Sequence, residues 1–250
     1  MKIEGLSTSF GKKTILENID LTIKKGKLTA FIGPNGAGKT TLLTTMSRLI
    51  ATEIGHIYLN GQDLKSFKSR QLAQQLSILK QMNHLNMNIT VSELVAFARF
   101  PYSRGNLTLD DKDKINLSID QLGLSDLAET NIQTLSGGQL QRAYIAMILA
   151  QDTEYILLDE PLNNLDMNFA VQMLHLLQKL VTEFGKTVII VLHDINFAAS
   201  FADEIVAMKS GKIFAHNQTD DIIHEDILNP LYDMSVHIKN IDGKKICLYF

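Results

Sequence analysis

The chain has 250 residues, of which 45% are hydrophobic and 20% charged, the balance of a globular domain with one sizeable core. Its formal net charge of −3 gives no support for broad binding to nucleic acid. The first residues lack the pattern of a secretory signal, and no apolar run approaches the roughly 18 residues that cross a bilayer. Any membrane role is therefore expected to come through a partner. The single cysteine, Cys247, cannot form an internal disulfide and favours a reducing compartment.

The N-terminal segment has β-strand character. Residues 1–10 and 14–23 are separated by the turn-like residues 11–13, and a further β segment follows at 56–61. Strands joined by short turns pair antiparallel. We therefore expect an antiparallel sheet that flanks the main sheet.

Three short apolar runs predict buried strands of a parallel sheet, and they span residues 27–32, 155–158 and 187–192. Helical patterns lie between the runs, which is typical of an α/β protein. Each run leads into a polar cluster: GPNGAGKT after the first, DEP after the second and HD after the third. Because ligands of such sheets bind beyond the carboxyl ends of the strands, we expect the clusters to contribute to a ligand site there.

Residues 33–40, GPNGAGKT, match the phosphate-loop pattern G-x-x-x-x-G-K-[ST] between a predicted strand and a helix. Glycines let successive N–H groups converge on phosphate oxygens, and the helix N-terminus adds its positive dipole end. Lys39 supplies a charge for the β- and γ-phosphates, and the Thr40 hydroxyl suits Mg²⁺. A glycine-rich turn without a ligand is the alternative, which this context disfavours. The predicted phosphate-binding residues are Gly33, Pro34, Asn35, Gly36, Ala37, Gly38, Lys39, Thr40 and Thr41.

Between residues 80 and 135 the pattern becomes helical. Thr90 and Glu93 form the capping box of one predicted helix, and a second runs from Leu109 to a stop at Gly123. These helices predict a subdomain inserted into the α/β core.

Residues 135–139, LSGGQ, predict the start of another helix. Ser136 suits an N-cap, and Gln139 holds the third position of a capping box. Gly137 and Gly138 would let an anion approach the backbone N–H groups closely. The sequence thus predicts a second phosphate-binding helix terminus, with a capped helix that binds nothing as the alternative.

Two carboxylates, Asp159 and Glu160, end the second apolar run. Asp159 suits Mg²⁺ through the water shell of the ion, and Glu160 suits the abstraction of a proton from attacking water. Beyond them the sequence predicts an amphipathic helix from Met167 to Gly185, another helix near 221–228 and weak β segments such as 244–250.

LSGGQ between a phosphate loop and LLDEP resembles the ATP-binding cassette (ABC) ATPases, and the likeness covers essentially the whole chain. The resemblance implies a P-loop NTPase fold with a mainly parallel core sheet, an N-terminal antiparallel β subdomain and an inserted helical subdomain that carries LSGGQ. It implies one ATPase domain over 1–250. Its parts would be a catalytic core at 1–80 and 155–220, the helical subdomain at 82–150 and a C-terminal extension at 221–250.

The same resemblance implies that LSGGQ closes over ATP held by the phosphate loop of an opposite copy, so that a homodimer encloses two ATP molecules. Gln81 aligns with the glutamine that meets Mg²⁺ and the attacking water, and His193 with the histidine that contacts the γ-phosphate. Phe10 stands where the family stacks an aromatic ring, commonly tyrosine, on adenine. The implied activity is ATP hydrolysis with Mg²⁺, and its catalytic residues would be Glu160, His193, Gln81 and Lys39.

The predicted nucleotide contacts outside the phosphate loop are Phe10, Ser136, Gly137, Gly138, Gln139 and Asp166, and the predicted metal contacts are Thr40, Gln81 and Asp159. Asp166 belongs to the loop 163–166, which in the family communicates across the dimer. A histidine after a strand and a phenylalanine near the N-terminus are also common structural residues, so His193 and Phe10 depend on the resemblance.

Residues 89–104 are similar to ATPases that import iron–siderophore complexes, haem and cobalamin. The implied partners are integral membrane permease subunits at the cytoplasmic face of the cell membrane and, indirectly, an extracytoplasmic substrate-binding protein, without nucleic acid. Iron–siderophore uptake is the leading expectation, with haem, cobalamin or another solute as alternatives. Phe97, Phe100 and Tyr102 are candidates for docking the permease, although Phe97 could equally pack in the core.

A cassette ATPase that acts on ribosomes or DNA is the alternative from a different class. Ribosome-acting members carry two cassettes in one chain, and DNA-repair members interrupt the cassette with long coiled coils; this sequence has neither. A GTP-binding switch is disfavoured because the sequence contains no N-K-x-D motif.

Overall fold

A computed structural model describes residues 1–11, 13–80 and 87–249. The strands are β1 (Lys2–Phe10), β2 (Lys13–Thr22), β3 (Leu28–Ile32), β4 (Ile54–Leu59), β5 (Gln62–Asp63), β6 (Leu76–Leu79), β7 (Tyr155–Asp159), β8 (Thr187–Val191), β9 (Glu204–Lys209), β10 (Lys212–Gln218), β11 (Val236–Ile241) and β12 (Lys244–Tyr249). The helices are α1 (Lys39–Met46), α2 (Ser69–Ala73), α3 (Val91–Ala96), α4 (Phe100–Ser103), α5 (Leu109–Gln121), α6 (Gly137–Ala150), α7 (Met167–Phe184), α8 (Ile195–Phe201), α9 (Thr219–Ile222) and α10 (Glu225–Tyr232).

The predicted antiparallel sheet is confirmed. Its strands lie in the order β2-β1-β4-β5, and all neighbours are antiparallel. Ile3, Leu6 and Ile19 turn inward and pack in one buried cluster with Leu42 of α1. An irregularity in the pairing of β1 with β2 between Ile3 and Leu6 lets these two residues, three positions apart, face the same side. The sheet therefore covers one side of the helix that follows the phosphate loop.

The main sheet has the order β10-β9-β3-β8-β7-β6. Strands β9, β3, β8, β7 and β6 are parallel neighbours, and β10 pairs antiparallel at the edge. The three predicted apolar runs became β3, β7 and β8, and every residue of these strands is buried. Because β3, β8 and β7 are adjacent, the polar residues that follow them meet at one edge of the sheet.

The predicted helices between the two halves of the core are confirmed. Thr90 and Glu93 form a capping box on α3, and Thr108 and Asp111 form one on α5. Helix α5 stops at Gly123, whose φ of 61° is left-handed. Helices α3, α5 and α6 pack together through Leu94, Ile119 and other apolar side chains. The domain boundaries stay a prediction.

The C-terminal segment differs from its prediction. The helix expected near 221–228 is two short helices, α9 and α10, interrupted at His224, whose backbone is extended. Two of the carbonyls released near this break, those of Asp220 and Ile223, accept hydrogen bonds from the Lys245 ammonium. The break is thus stabilised by a side chain distant in sequence. The β segment predicted at 244–250 is present as β12, which pairs antiparallel with β11.

Candidate active site

The phosphate loop lies between β3 and α1, as its motif requires. Gly33 has a φ of 139°, and a Cβ there would lie 2.1 Å from the backbone oxygen of Met208. A Cβ on Gly38, whose φ is 99°, would lie 2.9 Å from a Leu16 methyl carbon. Glycine at both positions lets the loop pass close to β9 and β2, which larger residues would prevent.

The Lys39 side chain lies along the inside of this loop and is 5% exposed. Its Nζ donates hydrogen bonds to the carbonyl oxygens of Gly33 and Pro34, at 2.7 and 3.0 Å. Burial lowers the pKa of the ammonium, and the carboxylates of Glu160 and Asp159 act in the opposite direction. The loop thus holds one buried amine close to two acidic groups, where a polyphosphate could bind it.

An open cleft of about 550 Å³ lies over the loop. Phe10 stands at its mouth and is 53% exposed, so an aromatic face is available there. Among the described residues, those that line the cleft are Phe10, Lys13, Thr14, Ile15, Asn35, Gly36, Ala37, Gly38, Lys39, Thr40, Thr41, Glu160, His193, Ser210 and Gly211. The structure therefore brings Phe10, most of the loop, Glu160 and His193 together.

Thr40 and Asp159 form the part of the site suited to a metal ion. Asp159 is 1% exposed, and its Oδ1 accepts a hydrogen bond of 2.9 Å from the Thr40 hydroxyl. A hydroxyl and a carboxylate oxygen at this distance are the hard ligands that Mg²⁺ prefers. Gln81, the third predicted metal contact, lies outside the described residues.

Glu160 is held from two sides. Its Oε1 lies 2.5 Å from Nε2 of His193, and its Oε2 accepts a hydrogen bond of 2.9 Å from the Asn163 amide. The backbone of Glu160 is left-handed, with a φ of 50°, a conformation that directs the chain sharply away from β7. The carboxylate is therefore fixed at the strand end beside the phosphate loop.

LSGGQ lies at the exposed N-terminus of α6. The Ser136 hydroxyl accepts from the Gln139 N–H at 3.3 Å, and Gln139 Oε1 accepts from the Ser136 N–H at 2.9 Å, which confirms the predicted capping box. Gly138 stands close to the carbonyl of Asn164, where a Cβ would be 3.2 Å away. No described residue that lines the cleft comes from 135–139. Within one chain, the structure does not bring LSGGQ to the phosphate loop.

Asp166 likewise lies outside the residues that line the cleft, and its Oδ1 caps α7 by accepting the Phe169 N–H at 2.9 Å. Three parts of the site were not predicted: the cleft-lining residues Lys13, Thr14 and Ile15 of β2, the residues Ser210 and Gly211, and the hydrogen bond from Asn163 to Glu160. Ser210 and Gly211, which follow β9, complete the cleft wall, and nothing local in the sequence marks them. The bond from Asn163 to Glu160 was also missed, although an amide three residues after an acidic strand end in a turn was a usable signal.

Comparison with known proteins decides the family. The family described as ABC transporter matches residues 16–163, more than half of the chain. The chain belongs to the ABC transporter family. Its activity is the hydrolysis of ATP.

The chain is similar to ATP-binding proteins of importers over all or most of its length. It is 49% identical to the petrobactin import ATP-binding protein YclP of Bacillus subtilis (strain 168), with 100% of this chain and 99% of that protein aligned. It is 39% identical to the ferric enterobactin transport ATP-binding protein FepC of Escherichia coli (strain K12), over 92% of this chain and 86% of that protein.

Solved ABC cassettes share the fold. The dimeric structure of a bacterial ABC transporter cassette superposes with a TM-score of 0.79 at 29% identity, and covers 87% of this chain and 98% of that chain. A dimeric post-hydrolysis state of that cassette, bound to ADP and Pi, gives a TM-score of 0.78 at 30% identity, over the same shares of both chains. In the described part of this chain, every helix is too short or too polar to cross a membrane.

Proposed function

We propose that this ATPase works as a homodimer that drives the uptake of an iron–siderophore complex through a separate membrane permease. The observation that carries the cargo assignment is the 49% identity, over the whole chain, to a petrobactin import ATP-binding protein. Other relatives are named for import of iron(3+)-hydroxamate and transport of ferric enterobactin. The printed cargoes are not the same compound, so the proposal names the class of cargo and not one siderophore.

The dimer is supported by the position of LSGGQ. Ser136 and Gly137 are exposed at the tip of α6 and do not line the cleft of their own chain, so a second copy is needed to bring them to a nucleotide. In the dimer, the N-terminus of α6, a 14-residue helix, would present backbone N–H groups to the γ-phosphate of the ATP bound by the other copy. A dimeric cassette of 29% identity has the same fold. Each ATP would then lie between the phosphate loop of one copy and LSGGQ of the other.

Within each site, the loop amides and Lys39 bind the β- and γ-phosphates, and Phe10 stacks on the adenine. Asp166 acts by holding the start of α7 beside LSGGQ. Mg²⁺, held by Thr40 and Asp159 with Gln81, would offset the negative charge of the phosphates. The contact between Thr40 and Asp159 supports this assignment, because it places two oxygen ligands together.

Glu160 acts as the general base. As the oxygen of water bonds to the γ-phosphorus and the bond to ADP breaks, the proton of water passes to the Glu160 carboxylate. Asn163 and His193 orient that carboxylate through the two contacts described above. His193 then stabilises the charge on the transferred phosphoryl group by a hydrogen bond.

Exchange of Glu160 for glutamine tests this mechanism. Glu160→Gln keeps the shape of the side chain and removes the base, so turnover should fall by about 10²- to 10⁴-fold while the Kd for ATP changes little. The Kd is measured by calorimetry and turnover by phosphate release, with Lys39→Ala as the variant that should lose nucleotide binding. Steady-state hydrolysis at the wild-type rate would remove Glu160 from this role.

The permease is expected to dock on the surface formed by Phe97 and Phe100. These side chains are 51% and 61% exposed, so Phe97 does not pack in the core. Tyr102 contributes less, because its ring packs on Arg99 at 3.9 Å from the guanidinium carbon to the ring centroid. Exposed apolar residues that lie close together mark partner sites. Through this surface the ATPase would be held at the cytoplasmic face of the membrane.

Charge placed on this surface should release the permease. Phe97→Asp and Phe100→Asp should prevent co-purification with the permease subunits from detergent-solubilised membranes, and ATP binding should persist. Phe184→Asp is the matched control, since Phe184 is 60% exposed at the end of α7. Loss of the permease from the Phe184 variant alone would place the docking surface elsewhere.

The cargo is tested in cells that lack this gene. Uptake of ⁵⁵Fe-loaded siderophores should fail, return with the wild-type gene and remain absent with Glu160→Gln. If these cells still take up the iron–siderophore complex but no longer take up haem or cobalamin, the lost compound is the cargo instead. Loss of siderophore uptake on deleting the gene for an extracytoplasmic binding protein would identify the third component of the importer.

A further inference from the structure

A tyrosine from the C-terminal segment contacts the first residue of the phosphate loop. The backbone N–H of Gly33 donates a hydrogen bond of 3.1 Å to the phenol oxygen of Tyr232, at the end of α10. The two residues are 199 positions apart in the sequence. The part of the chain that matches the ABC transporter family, residues 16–163, contains Gly33 but not Tyr232.

Gly33 has its backbone held on both sides. Its N–H is bound by Tyr232, and its carbonyl oxygen accepts the bond of 2.7 Å from the Lys39 ammonium. Met208 blocks any displacement toward β9, because its backbone oxygen lies where a Cβ of Gly33 would be. The position of Lys39 is therefore linked through one glycine to Tyr232.

Tyr232 is itself anchored firmly. Leu228 and Leu231, on the same helix, are fully buried in the main core cluster. The ammonium of Lys209, which follows Met208 in β9, binds the carbonyl of Pro230 and the Asp233 carboxylate beside Tyr232. A phenol on a helix held in this way can fix the loop, whereas a surface side chain would move with it.

The hairpin after α10 adds a second anchor. The Asn229 side chain accepts from the Val236 N–H at 2.7 Å, which joins α10 to β11. On β12, Cys247 exchanges two hydrogen bonds with Asn196 of α8, at 2.8 and 3.2 Å. Helix α8 begins just after His193. The C-terminal segment thus contacts the core next to both the phosphate loop and the β8 end.

We infer that Tyr232 is a positioning residue for the ATP site, which holds the entrance of the phosphate loop through the Gly33 N–H and so prearranges Lys39 for the phosphates. The inference rests on the proposed phosphate site. It assigns the C-terminal segment a role in nucleotide affinity. The phenol touches neither nucleotide nor water in this role, so the chemical step itself does not depend on it.

Tyr232→Phe tests this inference in the purified full chain. The variant keeps the ring packed against the core and removes the hydroxyl oxygen that accepts the hydrogen bond from the Gly33 N–H. The Kd for ATP and ADP and the KM for ATP should rise about two- to tenfold, the range expected for loss of one hydrogen bond, while kcat at saturating ATP stays within about twofold. The Gly33 amide should exchange with deuterium faster. A fold that is only less stable would not change the Kd well below its melting temperature.

Two further variants separate the possible failures. Tyr249→Phe removes a phenol from the exposed end of the same segment, where Tyr249 is 45% exposed, and should leave the Kd unchanged. Lys39→Ala should lose nucleotide binding. If Tyr232→Phe binds ATP like the wild type while Lys39→Ala does not, the inference about Tyr232 is wrong and the phosphate site stands. If Lys39→Ala also binds normally, the proposed phosphate site falls. An equal effect of Tyr249→Phe would overturn the specific role of Tyr232.

Discussion

Replacement of Arg99 by alanine should destabilise the helical part of the protein strongly. Arg99 is 2% exposed, and its Nε donates to the Asp111 carboxylate at 2.7 Å. Its Nη1 donates to the carbonyls of Ala150 and Gln151, at 3.0 and 3.3 Å. One guanidinium therefore joins the segment after α3 to the start of α5 and the end of α6. Alanine would leave a buried carboxylate and two carbonyls without this donor.

The size of the expected loss in the free energy of unfolding depends on which partners Asp111 keeps in the variant. Removing one partner of a buried ion pair costs about 3–5 kcal/mol, because the other charge stays buried. Asp111 keeps its bonds from the N–H and the hydroxyl of Thr108, at 2.9 and 2.8 Å. We therefore expect a loss near the lower limit, about 3 kcal/mol in the free energy of unfolding. For a chain of this size, such a loss lowers Tm by about 6–12 °C.

Urea unfolding followed by circular dichroism at pH 7 measures this free energy. Lys112→Ala is the control, because it removes an exposed cation from α5, the helix that contains Asp111. Its free energy of unfolding should stay within about 0.5 kcal/mol of the wild-type value. The double variant Arg99→Met, Asp111→Leu replaces both charges by apolar groups and should be more stable than Arg99→Ala. A loss below about 1 kcal/mol for Arg99→Ala would refute the assignment of Arg99 as the link between the segment after α3, the start of α5 and the end of α6.

Two other predictions concern pH and the phosphate loop. The Thr108 N–H and, against the opposing effect of burial, the Arg99 guanidinium lower the pKa of Asp111 from 3.8 to about 2. Its contribution to stability should be complete above pH 3.8 and disappear as the pH falls to 2, so Asp111→Asn should flatten the acid side of a stability–pH curve. Gly33→Ala should destabilise the fold and abolish nucleotide binding, because the new methyl carbon would collide with the backbone of Met208. A methyl carbon at Gly36 would have no neighbouring atom within 4 Å, so Gly36→Ala should melt at a higher temperature than Gly33→Ala. Equal melting temperatures would contradict this difference.

Much of this fold follows from local signals. The buried strands β3, β7 and β8 are apolar runs, and the starts of α3 and α6 are marked by Thr90 and Ser136 with an acidic or amide residue three positions later. These patterns depend on the period of side chains and on groups within one helical turn, so the sequence alone reveals them. The strand order does not follow from them. The rule that ligands bind beyond the carboxyl ends of parallel strands was enough to expect Lys39 and Glu160 in one site, whereas the role of His193 depended on the resemblance to the ABC ATPases.

The contacts that escaped prediction join distant segments. Lys245 stabilises the break before α10, and Tyr232 binds Gly33 from almost two hundred residues away. Neither side chain belongs to a periodic pattern or a motif. Each acts only after the sheet has brought the C-terminal segment beside the loop, which a single sequence does not specify. The same reason explains why Ser210 and Gly211 were missed in the cleft wall.

The acidic strand end and LSGGQ are joined within one chain, although they would act on different nucleotides. Gln141, which is buried in α6, donates from Nε2 to the carbonyl of Pro161 at 2.9 Å, and Pro161 directly follows Glu160. Leaving either buried group without its partner would cost about 1–3 kcal/mol, so α6 and the turn after β7 resist separation. The next residue of α6, Arg142, packs its guanidinium on the Phe169 ring of α7, with 4.0 Å between the guanidinium carbon and the ring centroid. In the proposed dimer, the helix that carries LSGGQ to one nucleotide and the turn that carries Glu160 to the other are therefore joined within the same chain by the hydrogen bond between Gln141 and Pro161.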